Sequence, residues 1–171
     1  MTEEKRAHTP RFIVDANVGK LARWLRMAGY NTVYFNGSDD SEMVTQALEE
    51  NRVILTGDSQ IMKMNLVTSE KIKALLIKYD QPERQMLQVI DALRINPIFQ
   101  PFSICLECNE PLISIKKSMV QGKVPPYVYQ NHENYMECPR CHRVFWRGTH
   151  WKAMIKTLKS FSRGSTGAPY S

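Results

Sequence analysis

Four cysteines in two C-x-x-C pairs have the spacing of a metal site. Cys105 and Cys108 form the first pair, Cys138 and Cys141 form the second, and 29 residues separate the pairs. Two cysteines three positions apart can offer both sulfurs to one ion from a tight turn, and two such turns complete a tetrahedral site. We therefore predict a structural Zn²⁺ site made by all four cysteines of the chain. Buried free thiols and redox-active pairs are the alternative interpretations.

Acidic residues follow two of the apolar runs that we predict to be strands. Asp15 follows the run 12–14, and Asp58 follows the run that ends at Thr56. The carboxyl ends of parallel strands meet at one edge of a sheet, and neighbouring strands are about 5 Å apart. We therefore expect these two carboxylates to converge.

Three further acids, Asp39, Asp40 and Glu42, begin the predicted helix that leads to the second of these strands. Asp39 is more simply a helix cap and Glu42 a solvated first-turn acid, whereas Asp40 suits a cap, a metal ligand or both. Asn17 could orient a phosphate or a water, although a turn role is simpler. Converging carboxylates repel one another unless a cation lies between them, so we predict Mg²⁺ or Mn²⁺ at this edge.

The elements that must position these residues follow from the pattern of apolar side chains. Strands are predicted over 12–14, 32–35, 52–56 and 72–77, and helices over 20–28, 40–50, 59–64 and 82–95. This alternation predicts an α/β fold with a mostly parallel sheet flanked by helices. Beyond residue 101 the sequence predicts short β-rich runs at 112–115 and 127–129, then an amphipathic helix that begins near His150.

The net charge of +6 is concentrated in the part of the chain that bears the cysteines. Residues 1–99 hold 13 Lys+Arg and 13 Asp+Glu, whereas residues 100–171 hold 10 and 4. A basic surface with interleaved aromatic residues favours nucleic acid, and solubility is the simpler alternative. No apolar run approaches the roughly 20 residues of a membrane helix, so we expect a cytoplasmic protein without a membrane partner.

Several motifs of the sequence resemble the Mut7-C RNase domain family. They are Val14-Asp15-Ala16-Asn17, the stretch 20–30, Asp40 before a helix, the run 52–58, the four cysteines, and the stretch 144–150. The resemblance covers about residues 11–155. It implies a PIN-like domain over residues 10–98 and a zinc ribbon with a basic helix over residues 99–160. We expect the Gly/Ser-rich tail, residues 163–171, to be disordered.

The same resemblance implies a metal-dependent endoribonuclease. Its catalytic acids are expected to be Asp15, Asp40 and Asp58, which would hold Mg²⁺ or Mn²⁺ to activate a water for attack on phosphorus. One position departs from the family, because Gly57 stands where an arginine is usual. The missing arginine removes a phosphate contact or a partner of an acid. Arg23, Arg26 or a lysine of the ribbon could replace it.

Substrate contacts are expected from basic and aromatic side chains. Arg23 and Arg26 could hold flanking phosphates, or could instead be ordinary surface charges. In the ribbon we expect phosphate contacts from Arg140, Arg143, Arg147, Lys152, Lys156 and Lys159, with His150 as a further contact. Trp146 or Trp151 could stack on an unpaired base, although packing against the protein is simpler for each.

A non-catalytic RNA-binding module with a vestigial acid cluster is the main alternative. Gly57 favours this alternative, and the three intact acids oppose it. A receiver-type phosphoacceptor switch would need paired acids at the first strand, and a D-x-D phosphatase fails because residue 17 is Asn. RNA is the expected partner, DNA is also possible, and so is a homodimer.

Overall fold

A computed structural model describes residues 9–164 of the chain, with side chains up to residue 162. These residues form two compact units. The N-terminal unit contains residues 9–26 and 30–95, and the C-terminal unit contains residues 27–29 and 96–164. No helix among the described residues is long and apolar enough to cross a membrane.

The N-terminal unit is built on a four-stranded parallel sheet in the order β2-β1-β3-β4. Its strands are β1 (Phe12–Asp15), β2 (Thr32–Phe35), β3 (Val53–Thr56) and β4 (Ala74–Leu76). Its helices are α1 (Lys20–Ala28), α2 (Asp40–Glu50), α3 (Asn65–Thr68) and α4 (Pro82–Leu93), with 3₁₀ turns at Ala16–Val18 and Ile61–Lys63. This parallel sheet flanked by helices confirms the predicted fold class.

The buried strands explain why the apolar runs are continuous rather than alternating. Phe12, Ile13 and Val14 of β1 are each fully buried, as expected for a parallel strand covered on both faces. Ile13 and Ile54 pack with Met43, Val44 and Ala47 of α2. This core fixes β1 and β3 side by side and determines where their carboxyl ends lie.

The helix ends follow the predicted local signals. Gly29, at φ +100°, ends α1, and the Tyr30 amide donates to the Leu25 carbonyl at 3.0 Å. Arg94 adopts a left-handed conformation (φ 55°) and ends α4 there, which is earlier than the predicted end at residue 95. Gln88 of α4 supports the edge strand β4, because its amide group donates to Leu76 O and accepts from Lys78 N.

A buried arginine holds the amino ends of three strands. Arg52 is 6% exposed, pairs with Glu50, and donates to Asn31 Oδ1 at 2.7 Å and to Phe12 O at 3.1 Å. Burial lowers the pKa of Arg52, and its hydrogen bond lowers the pKa of Glu50. The Arg52 amide bonds to Ala47 O of α2, so β3 begins at Val53 rather than at the predicted residue 52.

The C-terminal unit contains a three-stranded antiparallel sheet and two helices. The strands are β5 (Ile113–Ile115), β6 (Tyr135–Glu137) and β7 (Val144–Phe145), in the order β5-β6-β7. The helices are α5 (Pro126–Asn131) and α6 (Thr149–Gly164), and a 3₁₀ turn covers Lys117–Met119. Val120, Val124 and Tyr135 form a small core.

Two predictions for this unit have different outcomes. The β-rich run expected at 127–129 was wrong, because Pro126 starts α5 and the Tyr129 amide donates to Pro125 O at 3.0 Å. The helix expected near His150 is confirmed as α6. The tail expected to be disordered from residue 163 lies outside the described residues from 165 onward.

Candidate active site and metal centre

Three acids lie around the carboxyl ends of β1 and β3. Asp15 is the last residue of β1, Asp58 lies two residues beyond β3, and Asp40 is the first residue of α2. Burial raises the pKa of Asp40, and the negative charges of Asp15 and Asp58 raise it further. The three carboxylates therefore influence one another electrostatically.

The hydroxyl group of Thr56 connects two of these acids. Thr56 is fully buried at the end of β3, and its Oγ1 donates to Asp15 Oδ2 at 2.8 Å. The same oxygen accepts from the Asp58 amide at 3.0 Å. One buried hydroxyl therefore orients the carboxylate on β1 and the backbone that carries Asp58.

Asn17 makes a second connection across the same edge. Its Nδ2 donates to Asp15 Oδ2 at 3.1 Å, and its Oδ1 accepts from the Gly57 amide at 2.9 Å. A Cβ added at Gly57 would lie 3.4 Å from Asn17 Oδ1, which is ordinary van der Waals contact. The backbone at Gly57 therefore does not require glycine.

The hydrogen bonds leave part of each carboxylate available. Asp15 Oδ2 accepts both bonds just described, and Asp58 Oδ1 accepts from the Gln60 amide at 2.8 Å. No hydrogen bond from a described residue reaches the other oxygen of either acid, or the exposed carboxylate of Asp40. Oxygen ligands alone suit Mg²⁺ or Mn²⁺, which keep waters when bound. The residues present fit such an ion.

The neighbouring acids of α2 have other roles. Asp39 caps the helix, because its Oδ1 accepts from the Ser41 amide at 2.9 Å and from the Ser41 hydroxyl at 2.6 Å. The hydroxyl hydrogen bond from Ser41 lowers the pKa of Asp39. The interpretation of Asp39 as a cap is confirmed. Glu42 is exposed in the first turn.

The two arginines of α1 differ in their placement. Arg23 is exposed, whereas Arg26 is 8% exposed and its Nε donates to Thr32 O at 2.9 Å. Arg26 is therefore not the ordinary surface charge that was one of its two interpretations. Its guanidinium group instead binds the start of β2, where the chain turns after α1. We therefore do not assign Arg26 to a phosphate contact.

The four cysteines lie together in the C-terminal unit. The Sγ atoms of Cys105, Cys108, Cys138 and Cys141 all lie within 4.8 Å of one another. Cys105 and Cys141 have their sulfurs 3.8 Å apart, the separation that a tetrahedral ion with bonds of about 2.3 Å imposes. Among the described residues, this is the one set of three or more such ligands arranged to hold a metal ion directly.

The two C-x-x-C turns are built alike. The Cys108 amide donates to Cys105 Sγ at 3.4 Å, and the Cys141 amide donates to Cys138 Sγ at 3.5 Å. Each turn ends in a left-handed residue: Asn109 has φ 63° and His142 has φ 61°. Each therefore directs both of its sulfurs to one point.

Two of the four thiols are harder to ionise than an ordinary cysteine. Burial raises the pKa of Cys105 and raises that of Cys108 to about 12. Burial also opposes ionisation of Cys138, but amide hydrogen bonds from Cys141 and Arg140 lower its pKa. A divalent ion favours the thiolate at all four positions. The four cysteines are positioned to bind one metal ion.

Opposite charges join the two turns. Arg140, inside the second pair, lies 3.9 Å from Glu110, and Glu107, inside the first pair, lies 3.7 Å from Arg143. Sequence reasoning missed these partners, although Glu107 matches Arg140 inside its C-x-x-C motif and Glu110 matches Arg143 two residues after it. It also missed the role of Thr56, which entered only as part of the run 52–58 that carries the family resemblance.

The aromatic residues of the C-terminal unit are largely packed against protein. The ring of Trp151 meets that of Phe102 edge-on at 5.6 Å, and the Arg147 guanidinium lies over both rings at 5.2 Å and 5.6 Å. Trp146 is half-buried against the small core, and His150 is exposed. Of these four residues expected to contact RNA, Arg147 and His150 are exposed, whereas Trp146 and Trp151 are half-buried.

A family model described as the Mut7-C RNAse domain matches residues 10–158. No curated protein and no solved structure matches the chain. The matched range includes both the acidic site and the four cysteines. The chain therefore belongs to the Mut7-C RNAse domain family, which confirms the resemblance drawn from its motifs.

Proposed function

We propose that the chain is a metal-dependent endoribonuclease whose catalytic acids are Asp15, Asp40 and Asp58. The observation that carries the proposal is the grouping of three carboxylates at one sheet edge, each with an oxygen that no described residue binds. Such a grouping is costly for folding unless it serves a cation. Membership of a family named for ribonuclease activity supports the same conclusion.

The acids would hold Mg²⁺ or Mn²⁺, partly through water. When bound, such an ion lowers the pKa of a coordinated water and neutralises charge on the phosphodiester. Thr56 and Asn17 each donate a hydrogen bond to Asp15 Oδ2. These two bonds fix the orientation of the carboxylate group and therefore the direction in which its free Oδ1 points. The side chains that orient Asp15 therefore come from β3 and from the 3₁₀ turn after β1.

The C-terminal unit would supply structure and RNA contacts. We assign Zn²⁺ to the four cysteines, in keeping with a closed site of four thiolates, and a PIN-like fold to the N-terminal unit. Arg23, Arg147 and His150 remain our proposed substrate contacts. Arg143 is engaged by Glu107, so we assign it first to the surroundings of the metal. Trp146 is half-buried against the small core, which limits the contact that it could make with RNA.

A non-catalytic RNA-binding module is the second candidate. Gly57, in place of the family's usual arginine, favours it, because position 57 then supplies no positive charge beside Asp58. The acids also do not form a preassembled set of ligands as the cysteines do.

The deciding experiment is cleavage of single-stranded and structured RNAs without divalent metal and with Mg²⁺ or Mn²⁺. We expect metal-dependent cutting that falls at least about 100-fold in Asp15→Asn and in Asp58→Asn. Asp39→Asn is the matched control, because it removes an adjacent charge and Asn still caps a helix. RNA binding without cutting under every condition would establish the binding module instead.

A further inference from the structure

The last part of the sequence contains basic residues and no acidic ones. Residues 138–171 contain seven Lys and Arg and no Asp or Glu. The basic side chains that the structure describes fall into two groups with different surroundings. Arg140 and Arg143 pair with glutamates of the other C-x-x-C turn, and Arg147 lies over two aromatic rings. Arg140 and Arg143 are therefore engaged by acids of the C-terminal unit, whereas Arg147 is exposed and lies over two rings.

The three lysines of α6 have a different setting. Lys152, Lys156 and Lys159 are all exposed, and none forms an ion pair with any residue in the described part of the chain. Their spacing of four and three residues places them within an arc of about 60° on one side of the helix, over about 10.5 Å. We call these three residues the lysine face.

The opposite side of α6 is not available to a ligand. Met154, Ile155, Leu158 and Phe161 are at most 8% exposed. An amphipathic helix binds a bilayer by inserting its apolar side, and here that side is already buried in protein. A surface that offers only ammonium groups suits a hydrated polyanion with regularly spaced charges.

We propose that the lysine face of α6 binds the phosphate backbone of RNA. The inference rests on the proposed function only in taking RNA as the ligand, since it does not require cleavage. Lysine is a compact point charge without a fixed geometry, so contacts of this kind give affinity and carry no base specificity. The lysine face, rather than the arginines beside the cysteines, is the electrostatic contact.

The test measures the salt dependence of binding to a fluorescent single-stranded oligonucleotide in the Asp15→Asn background, where cleavage does not interfere. The variant is Lys152→Gln, Lys156→Gln and Lys159→Gln together. Three phosphate contacts contribute about 2 to the slope of log affinity against log salt, which corresponds to a loss of about 100-fold at about 0.1 M salt. The control variant is Lys71→Gln, Lys73→Gln and Lys123→Gln, which removes the same charge from exposed lysines elsewhere.

A slope reduced by about 2 in the lysine-face variant and little changed in the control supports the proposal. Equal losses in both variants, or none in either, would overturn it, since net charge or other residues would then explain binding. Vesicles containing anionic lipid are tested in parallel. Binding to vesicles but not to RNA, lost in the lysine-face variant, would also overturn it in favour of a membrane surface. Zinc content and thermal unfolding verify that each variant is folded.

Discussion

Replacing Thr56 with Val tests how the acidic site is held together. Valine has nearly the same shape, so the fully buried position stays filled. The change removes a hydrogen bond to a carboxylate, about 1.5–3 kcal/mol, and leaves the Asp58 amide without its acceptor, about 1–3 kcal/mol. Because Asp15 and Asp58 are only half-buried and water compensates in part, we expect unfolding free energy to fall by about 3 kcal/mol.

The matched control is Thr56→Ser, which keeps the hydroxyl and loses one methyl group, for about 1 kcal/mol. Urea unfolding measures both variants, and RNA cleavage with Mn²⁺ provides a second readout. We expect Thr56→Val to lose about 100-fold in kcat, because Asp15 is misplaced, and Thr56→Ser to lose less than about 10-fold. When Asp15→Asn is already present, Thr56→Val should lower the free energy of unfolding by about 1 kcal/mol less than it does alone. The reason is that the acceptor at residue 15 is then a neutral amide oxygen instead of a carboxylate. Equal effects of Val and Ser in stability and cleavage would refute the reasoning.

Three further changes test other parts of the molecule. Gly57→Arg should fold, because a Cβ there meets only ordinary contacts, and should raise kcat/KM on RNA by about 10-fold relative to Gly57→Gln; an unchanged rate would show that the site works without the arginine. The raised pKa of Asp40 means that the folded chain favours the protonated acid, so without metal Asp40→Asn should be more stable than the wild type at about pH 7. That advantage should fade as the pH falls through the raised pKa towards the ordinary value of 3.8, and a difference independent of pH in urea unfolding would contradict it. Cys138→Ser should abolish stoichiometric Zn²⁺ in the purified protein and unfold the C-terminal unit while the N-terminal unit keeps its own unfolding transition, and a variant that retains full metal content would exclude the four-cysteine site.

Much of this fold is predictable from local sequence signals. The predicted bounds of α1 and β2 are those observed, because the apolar stripe of α1 and the Gly29 stop need no tertiary information. The cysteine cluster follows from spacing alone. The proximity of Asp15 and Asp58 follows from one topological rule, that parallel strands present their carboxyl ends at one edge.

The remaining features depend on contacts that the sequence does not display. Arg26 falls on the polar side of a helical projection, yet the turn after α1 brings the Thr32 carbonyl within its reach. Residues 127–129 have high β-propensity, but the preceding Pro126 favours a helical first turn and prevails. Thr56 ends an apolar run, so the sequence indicates only a strand residue. The partners of its hydroxyl group lie on β1 and in the loop after β3, and the sequence does not show that they are close to it.

The two candidate metal sites differ in a way that matches the different roles proposed for them. The cysteine site already gathers four ligands around one point, with two sulfurs at the spacing that a bound ion imposes, so no position remains for a substrate. At the acidic site the fixed oxygens are Oδ2 of Asp15 and Oδ1 of Asp58, while their partner oxygens and the exposed Asp40 remain available. Burial, and then the charges of Asp15 and Asp58, raise the pKa of Asp40 there, so the proposed cation would be attracted without being enclosed. A closed thiolate site stabilises a small unit that has little core of its own, whereas an open carboxylate site leaves room for water and phosphate beside the ion.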